Sequence, residues 1–178
     1  MCIRDRRIGL PVAKFIAATN ANDVVPQYLL SGKYQPRTAQ ATCSNAMDVG
    51  NPNNFPRLLD LCRGRLEYVQ REIWGHAASD EETLAEMRTV WEKYRYIADP
   101  HTAVGILGWE AYRKEHSEPA QGLVLATAHP AKFADVVTKA ISTAPPLPDR
   151  LTAYLKRPKL SLPISSSYDD FKLFLMAH

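Results

Sequence analysis

Apolar residues along this chain occur either in short continuous runs or at helical spacing. Continuous runs at residues 12–19 and 123–128 predict strands buried on both faces, which is typical of a parallel sheet. A shorter strand is predicted at 96–98. Between these runs, apolar residues recur three or four positions apart, which predicts helices. The alternation of strands and helices indicates an α/β domain.

Helix boundaries are predicted from capping residues. Ser79 begins a capping box, with Glu three positions later and acidic residues in the first turn. Asn51 precedes Pro52, which fits an N-cap followed by the first helical position, and Asp99 fits a helix cap better than a ligand contact. The predicted helices, some with loosely defined ends, lie at 23–30, 52–63, 80–94, 103–111, 131–141, 149–155 and 168–177.

Composition and charge narrow the function classes. With 178 residues, 46% of them hydrophobic and 23% charged, the chain fits one soluble domain with a core. A net charge of +3 does not favour nucleic-acid binding, and no apolar run reaches the roughly 18 residues of a membrane span. Cysteines at 2, 43 and 62 form neither a disulfide framework nor a zinc pattern, which favours a reducing, cytoplasmic setting.

Three regions are predicted along the chain. Residues 1–7 lack helical, strand or signal-peptide character and resemble a translated sequencing-adapter scar, the alternative being an ordinary N-terminus. Residues 8–144 hold the α/β domain. Residues 145–178 hold a proline-rich linker and a helical tail.

Polar residues follow the predicted strands, where parallel sheets bind ligands. They lie at 19–23, 98–102 and 126–132, with a further amide-rich stretch at 44–51. The alternative for each Asn or Asp is a helix cap. His101 and His129 fit structural histidines better than metal ligands or bases, because no other ligand-type residue stands at metal spacing. The spacing therefore predicts a binding site but no reaction.

Four separated blocks resemble one family. FIAATNANDVVP, ATCSNAMDVGNPNNF, DPHTAVG and LATAHPAKF occur in the order found in the threonine synthases, and the similarity extends over residues 8–178. The resemblance implies a lyase of threonine biosynthesis that uses pyridoxal 5'-phosphate to convert O-phosphohomoserine and water into L-threonine and phosphate. It also implies the tryptophan synthase β-like fold, a three-layer α/β architecture with a parallel sheet, here incomplete and ending in a short helical tail.

The family motifs match only its C-terminal part. The Schiff-base lysine and the loop that binds the cofactor phosphate belong upstream in the family, so we expect no catalytic residue in this chain and no activity from it alone. Two alternatives stay open: a non-catalytic binding or regulatory module of the same fold, and a related phospholyase or dehydratase.

The resemblance also implies roles for individual residues. Thr127 in LATAHP matches the position whose hydroxyl bonds the pyridine nitrogen in related enzymes, the alternative being a buried threonine bonded to a backbone carbonyl. Lys132 faces either the anionic substrate or cofactor, or else solvent. Lower-ranked candidates for the cleft and its corners are Asn45, Asp48, Asn51, Asp99, Thr102 and His129. The expected partner is a small molecule, with no nucleic acid, membrane or metal; the oligomeric state stays open.

Overall fold

The structure is a computed structural model that describes residues 8–177. The interpretation of residues 1–7 as a scar therefore lies outside the described residues. The strands are β1 (Phe15–Thr19) and β2 (Ile73–Ala77), and the 3₁₀ turns lie at Asn45–Met47 and Pro130–Phe133. The α-helices are α1 (Val24–Ser31), α2 (Phe55–Leu61), α3 (Leu66–Glu72), α4 (Asp80–Tyr94), α5 (Pro100–Glu115), α6 (Ala134–Ile141), α7 (Asp149–Leu155) and α8 (Tyr168–Ala177).

The two strands form a parallel sheet with a helix on each face. Ala17 pairs with Gly75, and a Cβ at Gly75 would lie 2.9 Å from a side-chain atom of Leu29 in α1. Side chains alternate along a strand, so Ala18 points to the opposite face. There a Cβ at Gly108 of α5 would lie 2.7 Å from the Cβ of Ala18. Glycine at 108 therefore allows α5 to approach closely, and the predicted three-layer α/β architecture is confirmed.

Two hydrophobic clusters support these layers. The first packs α1, α2 and α3 together through buried residues that include Tyr28, Phe55 and Val69. Phe55 meets the Tyr28 ring edge-on, with the ring centroids 4.9 Å apart. The second cluster joins α4, α5 and α6 around Met87 and Val137, which are 1% and 0% exposed. Together the clusters fix the helices that carry the polar loops at the strand ends.

Two of the predicted helix caps are confirmed. Ser79 caps α4, accepting a hydrogen bond from the Glu82 backbone N–H, while the Glu82 side chain accepts from the Ser79 N–H. Asp99 caps α5 by accepting from the His101 N–H, with Pro100 at the first helical position. Both caps lie where they were predicted, because a cap depends on residues within one turn.

Several element predictions were wrong. Residues 96–98 and 123–128 are not strands; Leu123 is 88% exposed, because the run has no paired strand among the residues that the structure describes. Strand β2 and helix α3 were missed. Asn51 is not an N-cap: α2 begins at Phe55 after Asn54. The helix predicted at 131–141 begins as the 3₁₀ turn and becomes α-helical at Ala134.

The chain divides into two compact units, one ending at Pro146 and one beginning at Leu147. The second unit contains α7 and α8, and neither helix buries a residue. Within residues 8–177, no helix has both the length and the apolar character needed to cross a membrane.

Candidate functional site

A buried amide pair follows β1 at the carboxyl end of the sheet. Asn20 is fully buried, and its side-chain oxygen accepts from the backbone and side-chain N–H groups of Asn22, at 2.9 and 3.0 Å. Its side-chain nitrogen lies 2.7 Å from Thr42 Oγ1 and 3.1 Å from Ser44 Oγ. The strand end is therefore tied to the segment around residue 44, more than twenty positions later in the chain.

Asp48 is the acceptor on which this network converges. Its Oδ1 accepts from Asn20 Nδ2 at 2.9 Å, Asn22 Nδ2 at 3.1 Å and Thr42 Oγ1 at 2.7 Å. Its Oδ2 accepts from the Thr42 backbone N–H at 3.0 Å. Four donors thus surround one carboxylate, which leaves it little capacity for a ligand.

The loop of residues 42–50, which we call the Asp48 loop, is also held at both ends. Near its start, the Cys43 backbone N–H lies 3.1 Å from both carboxylate oxygens of Asp80 in α4. Burial, followed by the neighbouring Asp80, raises the pKa of the Cys43 thiol to about 12, so it stays protonated and weakly nucleophilic at neutral pH. At its end, a Cβ at Gly50 would lie 1.9 Å from the Arg37 carbonyl oxygen, so only glycine fits there.

His101 connects the start of α5 to the same loop. The side chain of His101 is 6% exposed and that of Asp99 is 1% exposed. Nδ1 of His101 lies 2.8 Å from Asp99 Oδ1, and Nε2 accepts from the Ala46 backbone N–H at 3.1 Å. The second carboxylate oxygen of Asp99 accepts from the Thr102 hydroxyl. Because Ala46 N–H can only donate, Nε2 carries no proton, and Nδ1 donates to the carboxylate.

The turn after residue 128 packs against this histidine. The centroid of the Phe133 ring lies 4.6 Å from that of His101. In the same turn, His129 Nδ1 accepts from the Ala131 N–H at 3.1 Å, which places the proton of the neutral ring on Nε2. Thr127 and Lys132 are exposed, and neither side chain has a hydrogen-bond or ion-pair partner among residues 8–177. The segment from Thr127 to Phe133 therefore presents free polar groups beside a fixed ring.

Comparison with known proteins gives the same family by sequence and by structure. Residues 102–172 match the family model described as "Threonine synthase, C-terminal". The chain is 42% identical over 176 residues to a threonine synthase of Serratia marcescens, covering 96% of this chain and 39% of that protein. A crystal structure of threonine synthase from Escherichia coli superposes with a TM-score of 0.79 at 37% identity, over 97% of this chain and 39% of that one. The chain belongs to the threonine synthase family.

A second solved structure agrees. A threonine synthase from Brucella melitensis, described as PLP bound, superposes with a TM-score of 0.77 at 34% identity, over 86% of this chain and 38% of that one. The chain thus spans about two fifths of the length of these threonine synthases.

The structure separates the candidate residues named from the threonine synthase motifs into two groups. Asp48, Asp99 and Thr102 are bonded internally, as the contacts above show, and His129 accepts one hydrogen bond through Nδ1. Asn51 lies apart from the Asp48 loop network and accepts from the Tyr34 hydroxyl at 2.8 Å. The side chains without a hydrogen-bond partner among the described residues are Asn45, Thr127 and Lys132.

Sequence reasoning undervalued three residues of this site. Asn20, Asn22 and Thr42 donate all four hydrogen bonds to Asp48, although Asn20 and Asn22 were predicted only as part of the polar segment at 19–23 and Thr42 lay outside the amide-rich stretch at 44–51. The available signal was the density of Asn, Asp and Thr without helical periodicity after a strand. Such density indicates side chains that hydrogen-bond one another across a loop.

An open cavity of about 430 Å³ lies between α4 and α5, away from the Asp48 loop. Its lining includes Glu86, Trp109 and Glu110. Burial, with the negative charge of Glu110, raises the pKa of the Glu86 carboxyl above its usual value. The cavity has no residue in common with the threonine synthase motifs quoted above.

Proposed function

We propose that this chain is the C-terminal portion of a threonine synthase that converts O-phosphohomoserine and water into L-threonine and phosphate with pyridoxal phosphate. The observation that carries the proposal is the exposed Thr127 hydroxyl, without a hydrogen-bond partner among residues 8–177, next to a turn fixed against buried His101. The family relationship supports the reaction class, and the PLP-bound relative supports the cofactor.

The chain offers a hydrogen-bond donor that fits the pyridine ring of the cofactor. The Thr127 hydroxyl has no acceptor within the described chain, so it is free to donate to the nitrogen of a pyridine ring. A neutral hydroxyl does not hold that nitrogen protonated as a carboxylate does. When bound, the cofactor supplies an electron sink for carbanions next to the substrate amine.

The other free side chains suit an anionic substrate. Lys132 is exposed and has no ion-pair partner among the described residues, so its ammonium group can attract a carboxylate or a phosphate. The Nε2–H of His129 offers a further donor in the same turn, and the Asn45 amide offers donors on the Asp48 loop. In this proposal these groups bind and orient substrate, while the lysine that moves protons lies on upstream polypeptide, so the chain alone is inactive.

A hybrid enzyme tests this function. The chain would replace the matching C-terminal region of the Escherichia coli threonine synthase, and phosphate release from O-phosphohomoserine would be measured with and without pyridoxal phosphate. We expect turnover by the hybrid and none by the 178-residue chain. Thr127→Val, which removes only the hydroxyl, should lower kcat about tenfold to a hundredfold, in the range of a lost transition-state hydrogen bond.

Three outcomes would contradict the proposal. The first is a folded hybrid that binds the cofactor but releases no phosphate. The second is a hybrid that deaminates serine or threonine instead, which favours the dehydratase alternative. The third is phosphate release by the isolated chain, which would place the proton-transferring group within these residues. The matched control is Thr138→Val, the same substitution at an exposed position of α6 outside the turn, and it should leave kcat unchanged.

A further inference from the structure

His101 is the point at which the two polar segments of the site meet. Its imidazole accepts the Ala46 N–H of the Asp48 loop, donates to Asp99 at the start of α5, and packs on Phe133 of the turn that follows Thr127. The His101 side chain is only 6% exposed, so it faces these segments and not solvent. One rigid ring therefore sets the distance between the loop bearing Asn45 and the turn bearing Lys132.

The bond to Ala46 satisfies a group that the local backbone cannot satisfy. Ala46 lies in the 3₁₀ turn Asn45–Met47, and the first N–H groups of such a turn have no partner within it. Met47 N–H bonds to the Ser44 carbonyl, but Ala46 N–H bonds to the histidine instead. The conformation of the turn at Asn45 therefore depends on a hydrogen-bond acceptor in α5, the Nε2 atom of His101.

We propose that His101 is a positioning residue for the cleft, acting as a neutral Nδ1–H imidazole whose Nε2 holds the Asn45 turn in place. The proposal rests on the proposed function for its kinetic consequence, but its structural consequence is independent of activity. His101 touches no reacting atom in this account. It acts through Ala46 and Phe133.

The wild-type protein gives the first test. Long-range ¹H–¹⁵N NMR spectra of the 178-residue chain distinguish the two neutral histidine tautomers and the charged ring at neutral pH. We expect the proton of His101 on Nδ1 and a bare Nε2. A proton on Nε2, in either the other neutral tautomer or the charged ring, would overturn the proposal without any mutation.

Three substitutions of His101, two to amides and one to an apolar residue, distinguish its bond to Ala46 from its bond to Asp99. The variants are His101→Gln, His101→Asn and His101→Leu. A glutamine side chain at this position extends about as far as Nε2 and can accept from Ala46 N–H, whereas the shorter asparagine side chain offers its amide nearer to Nδ1 and Asp99. If the bond to Ala46 positions the loop, glutamine rescues and asparagine does not. If capping and packing at Asp99 were the whole role, asparagine would serve at least as well.

The hydrogen-exchange rate of the Ala46 amide measures directly whether its hydrogen bond to His101 is kept. Loss of one hydrogen bond should speed its exchange roughly tenfold in His101→Leu and His101→Asn, with little change in His101→Gln. His116→Leu is the matched control, because His116 lies at the other end of α5 and bonds the Tyr112 carbonyl. Equal exchange of Ala46 in His101→Leu and wild type would overturn the proposal.

The hybrid enzyme then connects the loop to catalysis. We expect His101→Leu to lower kcat/KM for O-phosphohomoserine about tenfold or more, with His101→Gln close to wild type. A wild-type kcat/KM in a His101→Leu hybrid whose Ala46 amide exchanges fast would overturn the positioning role. An inactive wild-type hybrid would instead count against the proposed function, while the tautomer and exchange results would still decide the structural part.

Discussion

Replacing Asp48 by asparagine tests whether its carboxylate holds the Asp48 loop together. The substitution keeps the shape of the side chain and changes one oxygen to an amide NH₂. Three donors face Oδ1, and the Thr42 N–H faces Oδ2. Whichever way the new amide is turned, its NH₂ points at a donor, so neither orientation of the asparagine side chain restores the native set of bonds.

The expected cost follows from the kind of bonds that are lost. Hydrogen bonds to a charged group contribute about 1.5–3 kcal/mol, and a half-buried donor left facing another donor costs about 1–3 kcal/mol more. Since the remaining oxygen still accepts, we expect a net loss of about 2–4 kcal/mol in the free energy of unfolding. With a urea m-value of about 2 kcal/mol/M, the midpoint falls by about 1–2 M.

Urea unfolding of the 178-residue chain measures this loss. Tryptophan fluorescence follows the packing around Trp74, Trp91 and Trp109, and far-UV circular dichroism follows the helices. Asp135→Asn is the matched control: Asp135 is exposed in the first turn of α6, so the same chemical change should cost under about 1 kcal/mol. Equal midpoints for Asp48→Asn and Asp135→Asn would refute the reasoning, because the lost charge and the lost hydrogen bonds would then contribute nothing to stability.

Three further outcomes follow from the structure. Ser79→Ala removes a cap of α4 and should cost about 1 kcal/mol of unfolding free energy by urea titration; an unchanged midpoint would contradict the cap. Met87→Ala should cost about 2–5 kcal/mol because Met87 is 1% exposed, while the exposed Met176→Ala should cost almost nothing. Glu86 has a raised pKa, so the folded state binds its proton more tightly than the unfolded state, and this carboxyl lowers stability as pH rises. Glu86→Gln should therefore stabilise the protein at pH 7 and lose that gain below about pH 4; a gain independent of pH would refute the assignment.

Local signals predicted some elements correctly but not all, since the cap expected at Asn51 is absent and helix α3 was missed. The caps at Ser79 and Asp99 depend on residues within one turn, and both were found. Strand β2 was missed because Trp74, Gly75 and His76 form no apolar run, and the strand exists through its pairing with β1. The strand predicted at 123–128 is the opposite error, a strand that was expected and is absent. Its composition favours a strand, but a strand also needs a neighbouring backbone to pair with, and the apolar pattern carries no information about that neighbour.

In the candidate site too, the position of the polar residues could be predicted from the sequence, but the hydrogen bonds between distant residues could not. The sequence placed polar residues at strand ends, which located the site. It did not show that Asn20 reaches Asp48, because a bond between residues 28 positions apart leaves no periodic trace. Nor did it assign the acceptor of Ala46 N–H, since His101 lies 55 positions later.

The number of hydrogen bonds that a side chain already makes distinguishes the residues that hold these loops together from the residues that are free to bind a ligand. A carboxylate such as Asp48, which already accepts from four donors, has little capacity left for a ligand, so its substitution should reduce stability first. Side chains such as Asn45 and Thr127, exposed and without a hydrogen-bond partner among the described residues, have no such cost. Their substitution should leave unfolding unchanged and affect only binding. A residue type alone does not make this distinction, because asparagine occurs in both groups.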